Sequence, residues 1–274
     1  MHFLSIRLLA VALLCVGIVP GSSSVLAADW EENVSPFARG SFPDPRPLRA
    51  HYRFGWGGVT AASGDVRFSK TPDGRFQLEA NGGTSGLART LWAYDVKHVA
   101  TSDPRTLRPI AVKEVEQIRK KKVTTDLTFT DTGVTSVREE ERDSKVKSKT
   151  RRFDFPNIWS LNSALLYLRT HPLNDGAVQR IVIYPATSSY LATVTVVGRD
   201  RITVPTGTYD AIKVDVQLKK IGKKRELQTQ KKFRGATVWL SDDTDRLLLR
   251  IETEVFIGTV FAEIESVQFE NAKP

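Results

Sequence analysis

The chain has 274 residues, a net charge of +9 and a single cysteine, Cys15. Cys15 lies inside an apolar run that we expect to be removed on export, and no small residue precedes it, so we do not predict lipid attachment. Without it the mature chain has no disulfide, catalytic thiol or cysteine-ligated metal. The basic balance favours anionic partners. In an exported protein these are lipid head groups, lipopolysaccharide or acidic glycans rather than nucleic acid.

Residues 1–28 have the pattern of a signal peptide. Arg7 supplies the basic start, residues 8–19 are apolar, and small residues at Ala27 and Ala28 offer cleavage sites. The apolar run is shorter than the roughly 20 residues that a transmembrane helix needs, so a retained anchor is disfavoured. Cleavage would release the chain into the periplasm, with no transmembrane segment after it.

Residues 29–46 contain three prolines and little periodicity, which predicts an extended leader. From residue 47 to residue 270 the dominant pattern is alternation of apolar and polar residues, typical of strands with one buried face. It is clearest in 76–81, 123–130, 211–218 and 247–255. We predict one mainly antiparallel all-β domain, a large curved sheet or open half-barrel of about fourteen strands.

One segment has helical spacing instead. Leu161, Ala164, Leu165 and Leu168 recur at three- and four-residue intervals within 160–170. Ser160 or Asn162 can cap its start, and Pro172 stops it. A single short helix cannot supply the crossovers of a parallel α/β fold, so we expect it to act as a plug or lid on the curved sheet.

Turn residues separate the strands. Pro205 and Gly207 suit a tight turn in which proline presets φ and glycine takes a positive φ. Asp242 and Asp243, with Asp245 nearby, form the densest carboxylate cluster, but the glycine and glutamate of a calcium-binding loop are missing. We interpret these aspartates as turn residues and predict no metal site.

Four segments together resemble a known family. They are YRFGWGGV at 52–59, NSALLYLR at 162–169, VPTGTYDAIKV at 204–214 and VWLSDD at 238–243. The chain is similar, over roughly residues 48–268, to the bacterial exported proteins called domain of unknown function 3108 (DUF3108). The resemblance implies an envelope location and a large antiparallel sheet, and it carries over no catalytic residue. The last two segments also resemble parts of the lipoprotein-carrier superfamily, in which a curved sheet holds an acyl chain.

Catalytic residue types do not form a recognisable pattern. His51, His98 and His171 are too far apart in sequence for common metal-ligand spacing. There is no G-x-S-x-G nucleophile motif, and neighbouring carboxylates in 139–141 would face opposite sides of a strand. We therefore predict no catalytic residue and no cofactor, and enzymatic activity is disfavoured.

A basic stripe is the strongest binding signal. Lys145, Lys147, Lys149 and Arg151 occupy every second position, which aligns four cations on one face of a strand. They could bind anionic lipid, lipopolysaccharide or glycan. They could instead form a solvated strand face, with acidic residues of 139–143 opposite them if the two segments pair as a hairpin.

These patterns favour a non-enzymatic periplasmic protein that binds an anionic or amphipathic envelope molecule. Two alternatives stay open. A carboxylate-dependent envelope hydrolase would require two carboxylates about 5–9 Å apart in a cavity. A protein scaffold that binds by strand addition would require a long, bare and uncharged edge strand.

Overall fold

The computed structural model describes residues 29–229, 235–255 and 258–270. The strands are β1 (Leu48–Trp56), β2 (Val59–Lys70), β3 (Phe76–Thr84), β4 (Tyr94–Ser102), β5 (Pro109–Ile118), β6 (Lys121–Thr130), β7 (Gly133–Arg142), β8 (Lys145–Asp154), β9 (Ile158–Trp159), β10 (Val178–Ile183), β11 (Tyr190–Val204), β12 (Gly207–Ile221), β13 (Leu227–Thr229), β14 (Gly235–Ser241), β15 (Leu248–Val255) and β16 (Gly258–Phe269). The helices are α1 (Asp29–Glu32), α2 (Gly86–Leu91) and α3 (Leu161–Arg169).

All sixteen described strands belong to one sheet. Its order is β8-β7-β6-β5-β4-β3-β2-β1-β16-β15-β14-β12-β11-β10-β9, with β13 on a branch beside β12. Neighbours are antiparallel except β9 and β10, which are parallel. In the described part of the chain the end strands β8 and β9 do not pair, so the sheet stays open. The predicted fold class is confirmed, with sixteen strands where alternation indicated about fourteen.

The two halves of the sheet meet at β1. This strand pairs with β2 on one side and with β16 on the other, in registers that include Tyr52 opposite Gly64 and opposite Ile264. A strand near the end of the described chain is thus joined to the first one, and β1 is buried between two long neighbours.

The helix α3 lies against the inner face of the sheet, which we define as the face carrying Phe76 and Ile183. Ser160 caps it: its hydroxyl accepts the Ser163 amide at 3.2 Å, while the Ser163 hydroxyl accepts the Ser160 amide at 3.1 Å. Ala164 and Tyr167 are buried against β10–β12. The helix predicted within 160–170 is therefore present.

The short helices α1 and α2 have no counterpart among the sequence-based predictions. α2 has only six residues, and its two leucines, Leu87 and Leu91, are 85% and 74% exposed. It buries no apolar stripe, so it leaves no helical periodicity to detect. Gly86 begins it with φ of +53°.

The leader packs over α3. The Phe37 ring lies 5.5 Å from that of Trp159 and 6.0 Å from that of Tyr167. The backbone of Gly40 passes so close to Thr170 that an added Cβ would stand 2.0 Å from the Thr170 carbonyl oxygen. Glycine is therefore required where the leader crosses the end of α3.

Residues 1–28, where we expect the signal peptide, lie outside the described residues. The division into signal peptide, leader and one β domain stays a prediction. Among the described helices, none combines the length and the apolar character needed to cross a bilayer.

Candidate ligand-binding cavity

A partly open cavity of about 350 Å³ lies between α3 and the inner face of the sheet. Most of its wall is apolar, and the larger contributors include Tyr52, Phe76, Leu165, Leu168, Ile183, Val194 and Leu240. Its volume falls within the roughly 300–1,000 Å³ typical of small-molecule sites. A cavity with such walls is a poor site for water and a good one for an apolar group.

A buried polar cluster interrupts the apolar wall at the start of α3. His98 and Glu114 are opposite one another on β4 and β5, and Nδ1 of His98 lies 3.2 Å from Oε2 of Glu114. The Asn162 amide nitrogen lies 3.1 Å from Nε2 of the same ring. With the amide donating to Nε2, the ring proton is on Nδ1 and is donated to Glu114. These bonds join the sheet to α3.

At the other end of α3, Arg246 supports the helix terminus. It donates to the carbonyl oxygens of Arg169, His171 and Pro172, and its guanidinium carbon lies 3.4 Å from the Phe42 ring centroid. A cation bonded to the last carbonyls stabilises the negative end of the helix dipole. Burial lowers the pKa of Arg246.

Arg169 is the last residue of α3, and its side chain lines the cavity. It donates to the Asp245 carbonyl oxygen, and its Nε has no hydrogen-bond partner among the described residues. Burial, together with the positive charge of Arg246, lowers its pKa to about 10. The Asp245 carboxylate is held by Arg46, with oxygen to nitrogen distances of 2.7 and 2.5 Å.

The row of inner-face residues across β4–β8 becomes more charged away from the cavity. His98, Glu114, Thr125, Arg138 and Lys149 are successive cross-strand partners, so they share one face. The predicted basic stripe Lys145, Lys147, Lys149 and Arg151 is therefore on the inner face of the edge strand β8. At about 4.8 Å per strand, it is about 14 Å from Glu114. None of its four residues lines the cavity, and a role for the stripe stays a prediction.

A second carboxylate on β5 bears on the hydrolase alternative. Glu116 follows Glu114 on the inner face, with their Cα atoms about 7 Å apart by strand geometry. Glu116 is 0% exposed, and its Oε1 accepts a hydrogen bond from the Tyr94 hydroxyl at 3.0 Å. Its Oε2 lies 3.7 Å from Nη1 of Arg138. It does not line the cavity. A substrate in the cavity would therefore meet one of the two carboxylates.

The predicted turn residues all lie in connections between strands or beside them. Pro205 and Thr206 join β11 to β12, where Gly207 has φ of +140°. Asp242 pairs with Arg199 at 3.0 Å. One Asp243 carboxylate oxygen accepts the amides of Asp245 and Arg246 at 2.9 and 3.0 Å and the Ser241 hydroxyl at 2.7 Å. Across the described ranges, no group of three or more acidic, histidine or cysteine side chains could hold a metal.

The family described as "Protein of unknown function (DUF3108)" matches residues 51–265. The chain belongs to this family. The match confirms the resemblance drawn from the four sequence segments. No curated protein matches the chain.

Solved structures similar to this DUF3108 chain share little sequence with it. A beta-barrel-like protein of domain of unknown function DUF1849 from Brucella abortus has a TM-score of 0.55 and 10% identity, covering 84% of this chain and 100% of its own. A candidate lipoprotein from Parabacteroides distasonis has a TM-score of 0.34 and 11% identity, covering 84% and 99%. A candidate exported protein with a YmcC-like fold from Bacteroides fragilis has a TM-score of 0.31 and 9% identity, covering 84% and 100%. The first likeness concerns the fold alone, and the other two are too distant to support an argument.

Proposed function

We propose that this DUF3108 protein is a periplasmic binding protein that holds the apolar part of an amphipathic envelope molecule in the cavity beneath α3. The observation that carries the proposal is the cavity itself, about 350 Å³ and lined mainly by aliphatic and aromatic side chains. A ligand gains about 0.8 kcal/mol for each methylene group that it buries. A short alkyl chain therefore supplies most of the binding free energy that such a site can offer.

A non-enzymatic role agrees with the carboxylates of the cavity wall, which are engaged by basic partners. Asp65 pairs with His51 at 2.8 Å, Glu114 with His98 and Asp245 with Arg46. Glu116, the neighbour of Glu114 on the inner face, is closed off from the cavity. Among the described residues, every carboxylate that lines this cavity therefore has a basic partner, which disfavours a hydrolase site there.

Strand addition is disfavoured at the long edge strand. β8 is exposed along most of its length and carries five cations, at Lys145, Lys147, Lys149, Arg151 and Arg152. Charged side chains on an edge oppose pairing with another strand.

The test fills the cavity and measures the binding of a neutral fluorescent probe such as N-phenyl-1-naphthylamine. Ala80 lies on β3 and lines the cavity, so Ala80→Phe places a ring inside it. Val99 is 38% exposed on the neighbouring strand, so Val99→Phe adds a comparable side chain outside. We expect the wild type and the Val99 variant to bind the probe and the folded Ala80 variant to lose at least about tenfold in affinity. Equal binding by all three proteins would contradict the proposal.

A further inference from the structure

Two buried arginines belong to the wall of an otherwise apolar cavity. Arg169 and Arg246 are each 7% exposed, and both line the space beneath α3. A buried cation is costly unless hydrogen bonds and an opposite charge compensate it. The charges of Arg169 and Arg246 therefore need hydrogen-bond acceptors or negative charges close by.

The partners that the described residues provide are mainly neutral. Arg246 donates to three carbonyl oxygens, and Arg169 donates to one. None of the carboxylates in the described residues forms an ion pair with either guanidinium. The carboxylates whose charges act on Arg169 are those of Asp245, Asp243 and Asp44. They are otherwise engaged, since Arg46 binds Asp245, one Asp243 oxygen accepts backbone amides of its own turn, and Arg39 binds Asp44.

Arg169 has a hydrogen-bond donor that no described residue uses. Its Nε is buried and has no acceptor among the described residues. Arg246 already donates to three carbonyl oxygens, and its positive charge acts on Arg169, whose pKa it lowers. A planar guanidinium whose Nε lacks an acceptor can donate to an oxyanion, and its terminal nitrogens have further N–H donors for the same group.

We propose that Arg169, supported by the charge of Arg246, binds the oxyanionic headgroup of an amphiphile whose apolar part occupies the cavity. This assignment rests on the proposed function and adds the class of headgroup and its place. Carboxylate and phosphate share the required chemistry. The site differs from the β8 stripe, whose residues do not line the cavity.

The length of α3 fits such a ligand. Asn162 and Arg169 are seven residues apart, which is about 10 Å along a helix. Between them Leu165, Leu166 and Leu168 line the cavity. An anion at Arg169 would direct its alkyl chain along these leucines towards His98 and Glu114. Both nitrogens of the His98 ring are already hydrogen-bonded, one to Glu114 and one to Asn162, so this end of the cavity offers no donor to a second anion.

The experiment compares ligands of one chain length as competitors of the neutral probe at about pH 8. Decanoic acid and decyl phosphate carry oxyanions, and 1-decanol is their neutral counterpart. We expect at least one anion to displace the probe from the wild type at about one tenth of the alcohol concentration or less. If only decanoate does so, the headgroup is a carboxylate; if only decyl phosphate does so, it is a phosphate; if both do so, the site accepts either.

Variants then locate the anion. Arg169→Gln should lose the preference for the anion while it still binds the probe and the alcohol, and Arg169→Lys should keep part of it. Arg152→Gln, at an exposed arginine of β8, is the matched control and should behave as wild type. Equal displacement by anion and alcohol in the wild type overturns this inference alone and needs no variant. A folded Arg169→Gln variant that still prefers the anion to the alcohol also overturns this inference alone. Failure of the folded wild type to bind any of these molecules overturns the proposed function as well.

Discussion

Lys147 lies directly opposite Glu140 in the β7–β8 hairpin. Opposite charges at such a position stabilise a strand pair by a few tenths of a kcal/mol to about 1 kcal/mol. Glu140 also contacts Lys121 at 2.7 Å, and this hydrogen bond lowers its pKa. Lys149 lies opposite Arg138 instead. One lysine of the stripe thus lies opposite an acidic residue, and the next lies opposite a like charge.

Reversing Lys147 and Lys149 to Glu tests whether the stripe attracts anionic lipid. We expect the double variant to bind anionic vesicles more weakly and with less sensitivity to salt, because exposed charges are screened over about 8 Å at physiological ionic strength. Vesicle co-sedimentation at low and high salt measures both effects. Lys219→Glu with Lys223→Glu makes the same charge change at exposed residues away from β8. Unchanged binding by a folded Lys147/Lys149 variant would remove the stripe from any lipid-binding role.

Gly207→Val should destabilise the protein by about 1–3 kcal/mol. Gly207 has φ of +140° at the start of β12, a conformation that a β-branched residue adopts only under strain. Lys223→Ala is the control, since this exposed lysine should change stability by no more than about 0.5 kcal/mol. Urea denaturation compares the two free energies of unfolding. Equal stability of the Gly207 variant and the wild type would show that the turn tolerates a side chain.

Arg246→Met should destabilise the protein by about 2–4 kcal/mol, because the carbonyl oxygens of Arg169, His171 and Pro172 would lose a charged donor. Methionine keeps much of the length of the side chain, so packing on Phe42 is partly retained. Arg152→Met is the control, since its pair with Asp154 is solvent-exposed and worth at most about 1 kcal/mol. Melting curves that shift equally for both variants would argue against a capping role.

Because of His171, the folded protein should be less stable in mild acid than at neutral pH. Burial, and next the charge of Arg246, lower its pKa from the ordinary value of 6.5. The unfolded chain then binds a proton that the folded chain does not, so stability is full above about pH 6.5 and falls as the pH drops below it. His171→Phe keeps a ring against Tyr167 and should flatten this part of the stability profile. An unchanged slope between about pH 7 and 5 would exclude His171 as its source.

The sheet and α3 were predictable because each depends on a local repeat. Alternation marks a strand such as 123–130 without knowledge of its partner, and the Ser160 cap with leucines at helical spacing marks α3. α2 was not predictable, since six residues with exposed leucines carry no amphipathic signal.

The cavity could not be predicted because its polar residues are distant in sequence. His98 and Asn162 are joined by a bond across 64 positions, and Arg246 reaches the Arg169 carbonyl across 77. In the sequence His98 is an isolated histidine, and Arg169 is an ordinary basic residue at the end of a helix. The β8 stripe has a visible period, whereas the cations that line the cavity do not.

Native mass spectrometry of the protein purified from the envelope of its own cells tests most directly whether the cavity holds an amphiphile. We predict that the wild type carries a bound molecule with an alkyl chain, identified after organic extraction, and that Val99→Phe carries the same molecule. Ala80→Phe should carry at most about a tenth as much. A folded wild type with no bound amphiphile, or an Ala80 variant that carries as much as the wild type, would contradict the account.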